Sequence, residues 1–153
     1  MVSWKHALRE GALAGSLASV LSGAALVVAG QYRGRRPAAP VNAISHWVWG
    51  DPALREDEPS VRHTALGYLI HHGASLFWST LHARAWAQRD VPVPMQAAVT
   101  SAVACFVDYE LTPRRFTPGF EHKLSARQLA AVYVMFGVGL AIGTQVARSR
   151  ARR

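Results

Sequence analysis

The sequence predicts an all-α integral membrane protein, a four-helix bundle with a short interfacial helix in its first loop. Three observations carry this expectation. Residues 11–30, 64–83, 91–107 and 128–147 contain no Asp, Glu, Lys or Arg, in a chain of 153 residues. Three of these runs are 20 residues long and the other is 17, close to the roughly 20 residues that an α-helix rising 1.5 Å per residue needs to cross a hydrocarbon core about 30 Å thick. The charge is gathered into the linkers and tails, so a mean hydropathy of +0.08 conceals the segregation. Four helices use more than half of such a chain, which is the size of one domain. The expected spans are about 8–30, 63–86, 92–111 and 125–147, within a single membrane domain, 1–153.

The entrance, residues 1–10, is short and basic, with Trp4, Lys5 and Arg9 suited to the head-group level. The first span follows. It is too long for a typical signal segment, and Val28-Ala29-Gly30-Gln31 only loosely matches a cleavage site, so it is expected to remain as a span. Gly15, Ser19 and Gly23 recur at every fourth residue, putting small side chains on one face where another helix can come close.

The longest connection, residues 31–63, opens with Arg33, Arg35 and Arg36 and closes with an acidic run from Asp51 to Glu58. Between them lies PVNAISHWVWGDP. Asn42 is expected to cap a short helix over about 41–50 that Gly50 and Pro52 end. Ile44, Trp47 and Val48 would share its apolar face, as in a helix lying on a membrane surface.

Pro92 and Pro94 set the start of the third span, being tolerated in a first turn, and Pro113 stops it. A polar connection leads to Ser125 and Gln128, an S-x-x-Q capping box for the fourth span. Gly139 and Gly143 give that helix its own close-approach face. Neither an internal repeat nor a low-complexity segment is evident beyond the arginine tail.

The formal charge of +8 does not point to nucleic acid, because the basic residues flank the apolar runs, where they meet anionic head groups of the bilayer. Lys and Arg divide almost evenly between the two sides. The tail, however, packs Arg148, Arg150, Arg152 and Arg153 directly after a span, which favours cytoplasmic termini. Cys105 is the sole cysteine, so an internal disulfide and a zinc–thiolate cluster are excluded; it reads as a small buried apolar residue.

Polar chemistry concentrates on the second span. Thr64, Tyr68, His71, Ser75, Trp78 and His82 recur at alternating steps of four and three, one stripe that should face the interior, because polar groups in lipid cost several kcal/mol each. The topology puts His46, His63, His71, Asp108, Glu110, Glu121 and His122 in one half of the molecule and His82 in the other. Imidazoles and carboxylates are the ligands a transition metal wants, so His46, His71, His72, Asp108 and Glu121 form a candidate metal set. Neither H-E-x-x-H nor E-x-x-H occurs, and a structural hydrogen-bonding role for these histidines is the plainer reading. Two-histidine haem ligation would need a loop partner, since the other three apolar runs hold no histidine.

In DYELTPRRFTPGFEHKLS, residues 108–125, the expected arrangement is an interfacial linker with Asp108 or Glu110 paired to Arg114 or Arg115. The adjacent Arg114 and Arg115 also suit an anionic lipid or phosphate. Neither a G-x-S-x-G elbow nor a phosphate-binding glycine loop is present, and no residue is assigned a catalytic role.

PVNAISHWVWGD and DYELTPRRFTPGFEHKLS, about 30 residues together, resemble segments of small four-span bacterial inner-membrane proteins to which no activity is attached. The resemblance implies the topology and a bacterial inner-membrane location, and leaves the function open. The expectation is a non-catalytic accessory, scaffold or assembly subunit that packs with itself or within a larger membrane complex. The alternatives are a metal- or haem-binding redox protein and a small oligomeric transporter.

Overall fold

The structure is a computed structural model that describes residues 3–32, 34 and 36–152. Arg33, Arg35 and Arg153, counted among the flanking charges above, lie outside the described residues. The described chain is all-helical. Its α-helices are α1 (Trp4–Tyr32), α2 (Ala39–Ile44), α3 (His46–Trp49), α4 (Leu66–Trp86), α5 (Val93–Phe106) and α6 (Ala126–Ala151).

Helices α1 and α6 are long and apolar enough to cross a membrane. The other two expected spans come out differently. α4 is 21 residues long but interrupted by histidines, and α5 is 14 residues, continued by a wide π-type turn over Val107–Leu111. A matching π turn, Val61–Ala65, leads into α4.

The ends follow local chemistry. Ser60 accepts a hydrogen bond from the amide of His63 (3.1 Å) and opens the π turn before α4, while its own amide donates to Thr64 (2.9 Å). At the start of α6 the expected capping box is formed: Ser125 N–H donates to Gln128 Oε1 (3.0 Å) and Gln128 N–H to Ser125 Oγ (3.4 Å). Within the helices, Ser16, Ser22, Ser79, Thr80 and Thr100 return their hydroxyl protons to the carbonyl four residues back, which satisfies these groups without water.

The chain divides into two compact units. The first comprises residues 1–22, 72–104 and 133–153. Its core is small: Ala14, Ala18, Ala97, Phe136 and Leu140, with Trp78 and Ala141 packed against it. Small residues permit backbone-to-backbone packing here. A Cβ on Gly15 would stand 2.9 Å from Leu76 Cα, and one on Gly139 2.6 Å from Ala18 Cα; Gly143 lies in the same way against Ala14, and Ser19 is fully buried. α1 is thereby held between α4 and α6. Ser101 adds a bond from α5 to the Tyr133 carbonyl of α6 (2.6 Å).

The second unit comprises residues 23–71 and 105–132. Gly23 lies under the Tyr68 ring. The segment over 41–50 departs from the single amphipathic helix expected of it. It forms two short helices that meet at Ser45, and all six residues of α2 are buried, Ile44 included. A surface-lying helix would leave one side free; α2 is instead enclosed by its neighbours in the unit. Only α3 shows an outer face, through Val48 and Trp49. Asn42 does not cap: α2 begins beyond Ala38 with Pro40 in its first turn, leaving Asn42 inside the helix with its amide free for longer-range bonds. Gly50 does end α3, at φ 73°.

Candidate functional site

The second unit joins the two loop segments singled out from the sequence into one cap. Asn42, fully buried, is its centre. Its Nδ2 donates to the carbonyls of Glu56 (3.0 Å) and Glu58 (2.8 Å), and its Oδ1 accepts from Thr64 (2.6 Å). One amide thus ties α2 to the acidic run and to the entry of α4. Ser45 stands one turn along, donating to the Asn42 carbonyl (2.7 Å) and contacting His63 Nδ1 at 2.9 Å. Because the single hydroxyl proton of Ser45 goes to that carbonyl, its oxygen accepts from His63.

The later loop is stitched onto this frame by side chains that seek main-chain oxygen. Trp47 Nε1 donates to the Thr117 carbonyl (2.8 Å), and Arg115 donates to the His46 carbonyl. Lys123, 4% exposed, forms an ion pair with Asp57 (2.6 Å). Gly119 adopts φ 89° and lies so close to Ala43 and His46 that a Cβ would fall 2.6 Å from each, so both its conformation and its space require glycine. Gln128 Nε2 reaches the Ala29 carbonyl near the end of α1 (3.0 Å).

The candidate metal set is not assembled. His46 is buried with Nδ1 on the Ala43 carbonyl (2.8 Å), and the His71 ring is 6.3 Å from that of Tyr68. Glu121 contacts His122 at 3.8 Å. Among the described residues, no group of three or more His, Cys, Asp and Glu could hold a metal ion. Local backbone bonding claims His46, and adjacency in sequence points His71 and His72 in different directions around α4. The Arg114–Arg115 pair is likewise divided in use: Arg115 secures the cap and Arg114 is exposed.

The polar stripe of α4 is used in several ways. Thr64 serves Asn42, Ser75 is buried, Trp78 packs on the core of the first unit, and Tyr68 is 37% exposed. His82, 1% exposed, contacts Thr100 of α5 through Nδ1 at 2.9 Å. Thr100 also receives the Trp86 indole proton (3.1 Å) and gives its own proton to the Gln96 carbonyl (2.9 Å). Beside this knot, Trp78, Leu81, Ala85, Trp86, Val99 and Val103 line a cleft of roughly 270 Å³, with Arg89 at its rim.

One group that sequence reasoning passed over is Glu10. It is 5% exposed and bonded to Arg148 Nε (3.0 Å), with His6 at 3.6 Å. The signal was available: Glu10 is the acid bordering the first uncharged run, and Arg148 borders the last.

Arginines rest on aromatic rings at both ends of α4. In the turn before it, Arg62 lies 4.4 Å from the Trp49 ring centre; in its last turn, Arg84 lies 5.4 Å from that of Trp4. Arg89 follows at 5.6 Å from Trp86, and in the cap Arg115 is 5.8 Å from Phe116.

Comparison with protein-family models, with characterised proteins and with solved structures finds no match to this chain.

Proposed function

We propose that this chain is a non-catalytic integral membrane protein, an accessory or scaffold subunit, in which α1, α4, α6 and α5 with its π turn cross the bilayer and the two longer loops are joined as one rigid cap. The observation that carries this reading is the use made of the cap's polar side chains. Asn42, Trp47 and Arg115 each bond main-chain carbonyls of a distant segment, and Lys123 bonds Asp57. Side chains spent on backbone hold loops in place, and a surface held in place can present a constant shape to a neighbour.

Membrane insertion is supported by α1 and α6, each long and apolar enough to span, and by the arginine–aromatic pairs bracketing α4. At 21 residues α4 is about 31 Å long, close to the thickness of a hydrocarbon core. Indole and guanidinium groups suit the two head-group levels. Outward apolar side chains such as Leu69, Phe77, Val103, Val134 and Ile142 would face lipid. Hydroxyls bonded back to their own helix fit the same setting, where an unmet polar group is expensive. We place the protein in a bacterial inner membrane with both termini cytoplasmic, the cap then lying on the opposite side.

Mild detergent solubilisation of native membranes, followed by native electrophoresis, tests the accessory role. The chain should migrate in an assembly larger than one protomer with its lipid. Migration as a lone protomer under conditions that preserve known complexes in the same membranes would contradict it.

A further inference from the structure

We infer that the cleft between α4 and α5 holds one acyl chain of an anionic membrane phospholipid, with Arg89 gripping the head group; the inference rests on reading these helices as membrane spans. The walls, from Trp78 to Val103, are apolar over a volume of roughly 270 Å³, just below the range of whole drug-sized ligand sites and suited to a single chain. His82 and Thr100 also line the cleft, with His82 Nδ1 turned to the Thr100 hydroxyl. Thr100 collects contacts from His82 and Trp86 and returns its proton to Gln96, and the lining of the space is mostly hydrocarbon.

The rim is built with the opposite character. Thr100 fixes the Trp86 indole at 3.1 Å, and the Arg89 guanidinium stands 5.6 Å from that ring. Arg89 Nε donates to the Ala85 carbonyl (3.1 Å), a bond that orients the guanidinium and does not use its two terminal nitrogens. Among the described residues, no carboxylate forms an ion pair with Arg89. A forked cation without a protein counter-charge, at the end of an apolar slot and beside an interfacial tryptophan, matches a phosphate diester with a hydrocarbon tail. A protein helix would not fit the slot, and a neutral amphiphile would leave the cation unmet.

Native mass spectrometry of the full chain, delipidated and then titrated with phosphatidylglycerol, tests this. The wild type should retain one phosphatidylglycerol. Arg89→Gln, an exposed substitution that removes the charge and keeps a side-chain amide donor, should raise the half-saturating concentration by about tenfold, as should replacing phosphatidylglycerol by phosphatidylcholine of equal chain length. Val99→Trp, which fills the slot, should abolish retention. Inorganic phosphate should not compete, because the head group alone lacks the chain. Equal retention by wild type, Arg89→Gln and Val99→Trp would overturn the inference. Equal retention of phosphatidylcholine would overturn it too, as would a dimer that Val99→Trp dissolves. Alkaline extraction in parallel separates the two failures: a chain that washes off the membrane refutes the spans, whereas a membrane-integral chain with indifferent variants refutes the lipid site alone.

Discussion

Gly67→Ala is expected to be among the most damaging single substitutions in the chain. At Gly67, α4 passes directly over α2, and an added Cβ would overlap the Val41 carbonyl, with Val41 C at 3.0 Å. The obstacle is backbone on both sides, so no rotamer change relieves it. Either α2 moves, taking Asn42 one position away and its bonds with it, or α4 shifts. Overpacking in a close-packed site costs typically 1–3 kcal/mol and more where nothing can yield, so a loss of about 3 kcal/mol or more is expected. Gly73 supplies the control, since it lies on the same helix with open space around it. Gly73→Ala should be neutral or stabilising by up to about 1 kcal/mol, through helix propensity alone. Thermal unfolding in detergent, followed by circular dichroism, separates the two: a large drop for Gly67→Ala beside an unchanged or raised midpoint for Gly73→Ala. Similar midpoints for both would mean that α2 does not sit beneath α4 as described.

Asn42→Asp should open the cap while leaving the long helices formed. The carboxylate has nearly the shape of the amide but no N–H, so the bonds to the Glu56 and Glu58 carbonyls are lost and replaced by repulsion between oxygens. The site is fully buried, so the new charge also loses its hydration. Each carbonyl can regain water once the acidic run lifts away, because Glu56 and Glu58 are exposed. The expected cost is therefore about 2–4 kcal/mol, paid largely as local opening rather than global unfolding. Limited trypsin digestion reads this directly at Arg55, which lies in the segment that Asn42 holds. Cleavage there should accelerate severalfold in Asn42→Asp with little change in the helical signal. Unchanged cleavage would show that the amide is not the clasp.

The contrast between these two positions shows what the sequence could reveal. The all-helical class was legible because charge avoids four long runs, and helix ends were legible where a few adjacent residues decide them, as at Ser125 and Gln128. The spacing of Gly15, Ser19 and Gly23 announces that something comes close, but the identity of the neighbour depends on how helices pack. The cap was legible only as two unusual segments. That Asn42 would reach 14 and 16 residues ahead, or Trp47 70, follows from no local periodicity, and local rules favoured a capping role for Asn42 instead. The surface helix failed for a related reason: α2 is apolar enough to lie on a membrane, and the same property let the protein bury it whole. For the metal set, the residue types suit an ion, but among the described residues no group of three or more comes together to hold one. Sharing one half of the molecule is a loose condition, whereas coordination needs convergence within a few ångströms.

The α4–α5 cleft illustrates a further limit. His82 and Trp86 were visible as polar or amphipathic groups on α4, yet the part they play depends on Thr100 across on α5. Eighteen residues separate His82 from Thr100, and a sequence pattern within one helix cannot express that partnership.

The central claim, that the long helices cross a bilayer with the cap on one side, is tested most directly by cysteine accessibility in sealed membrane vesicles. With Cys105→Ala as background, Ser60→Cys places a thiol on the exposed surface of the cap and Gln88→Cys places one in the exposed turn after α4. An impermeant maleimide should label the two from opposite faces of the membrane, with Ser149→Cys, near the end of α6, following Gln88→Cys. Labelling of Ser60→Cys and Gln88→Cys from the same face, or recovery of the chain in the soluble fraction, would contradict the account.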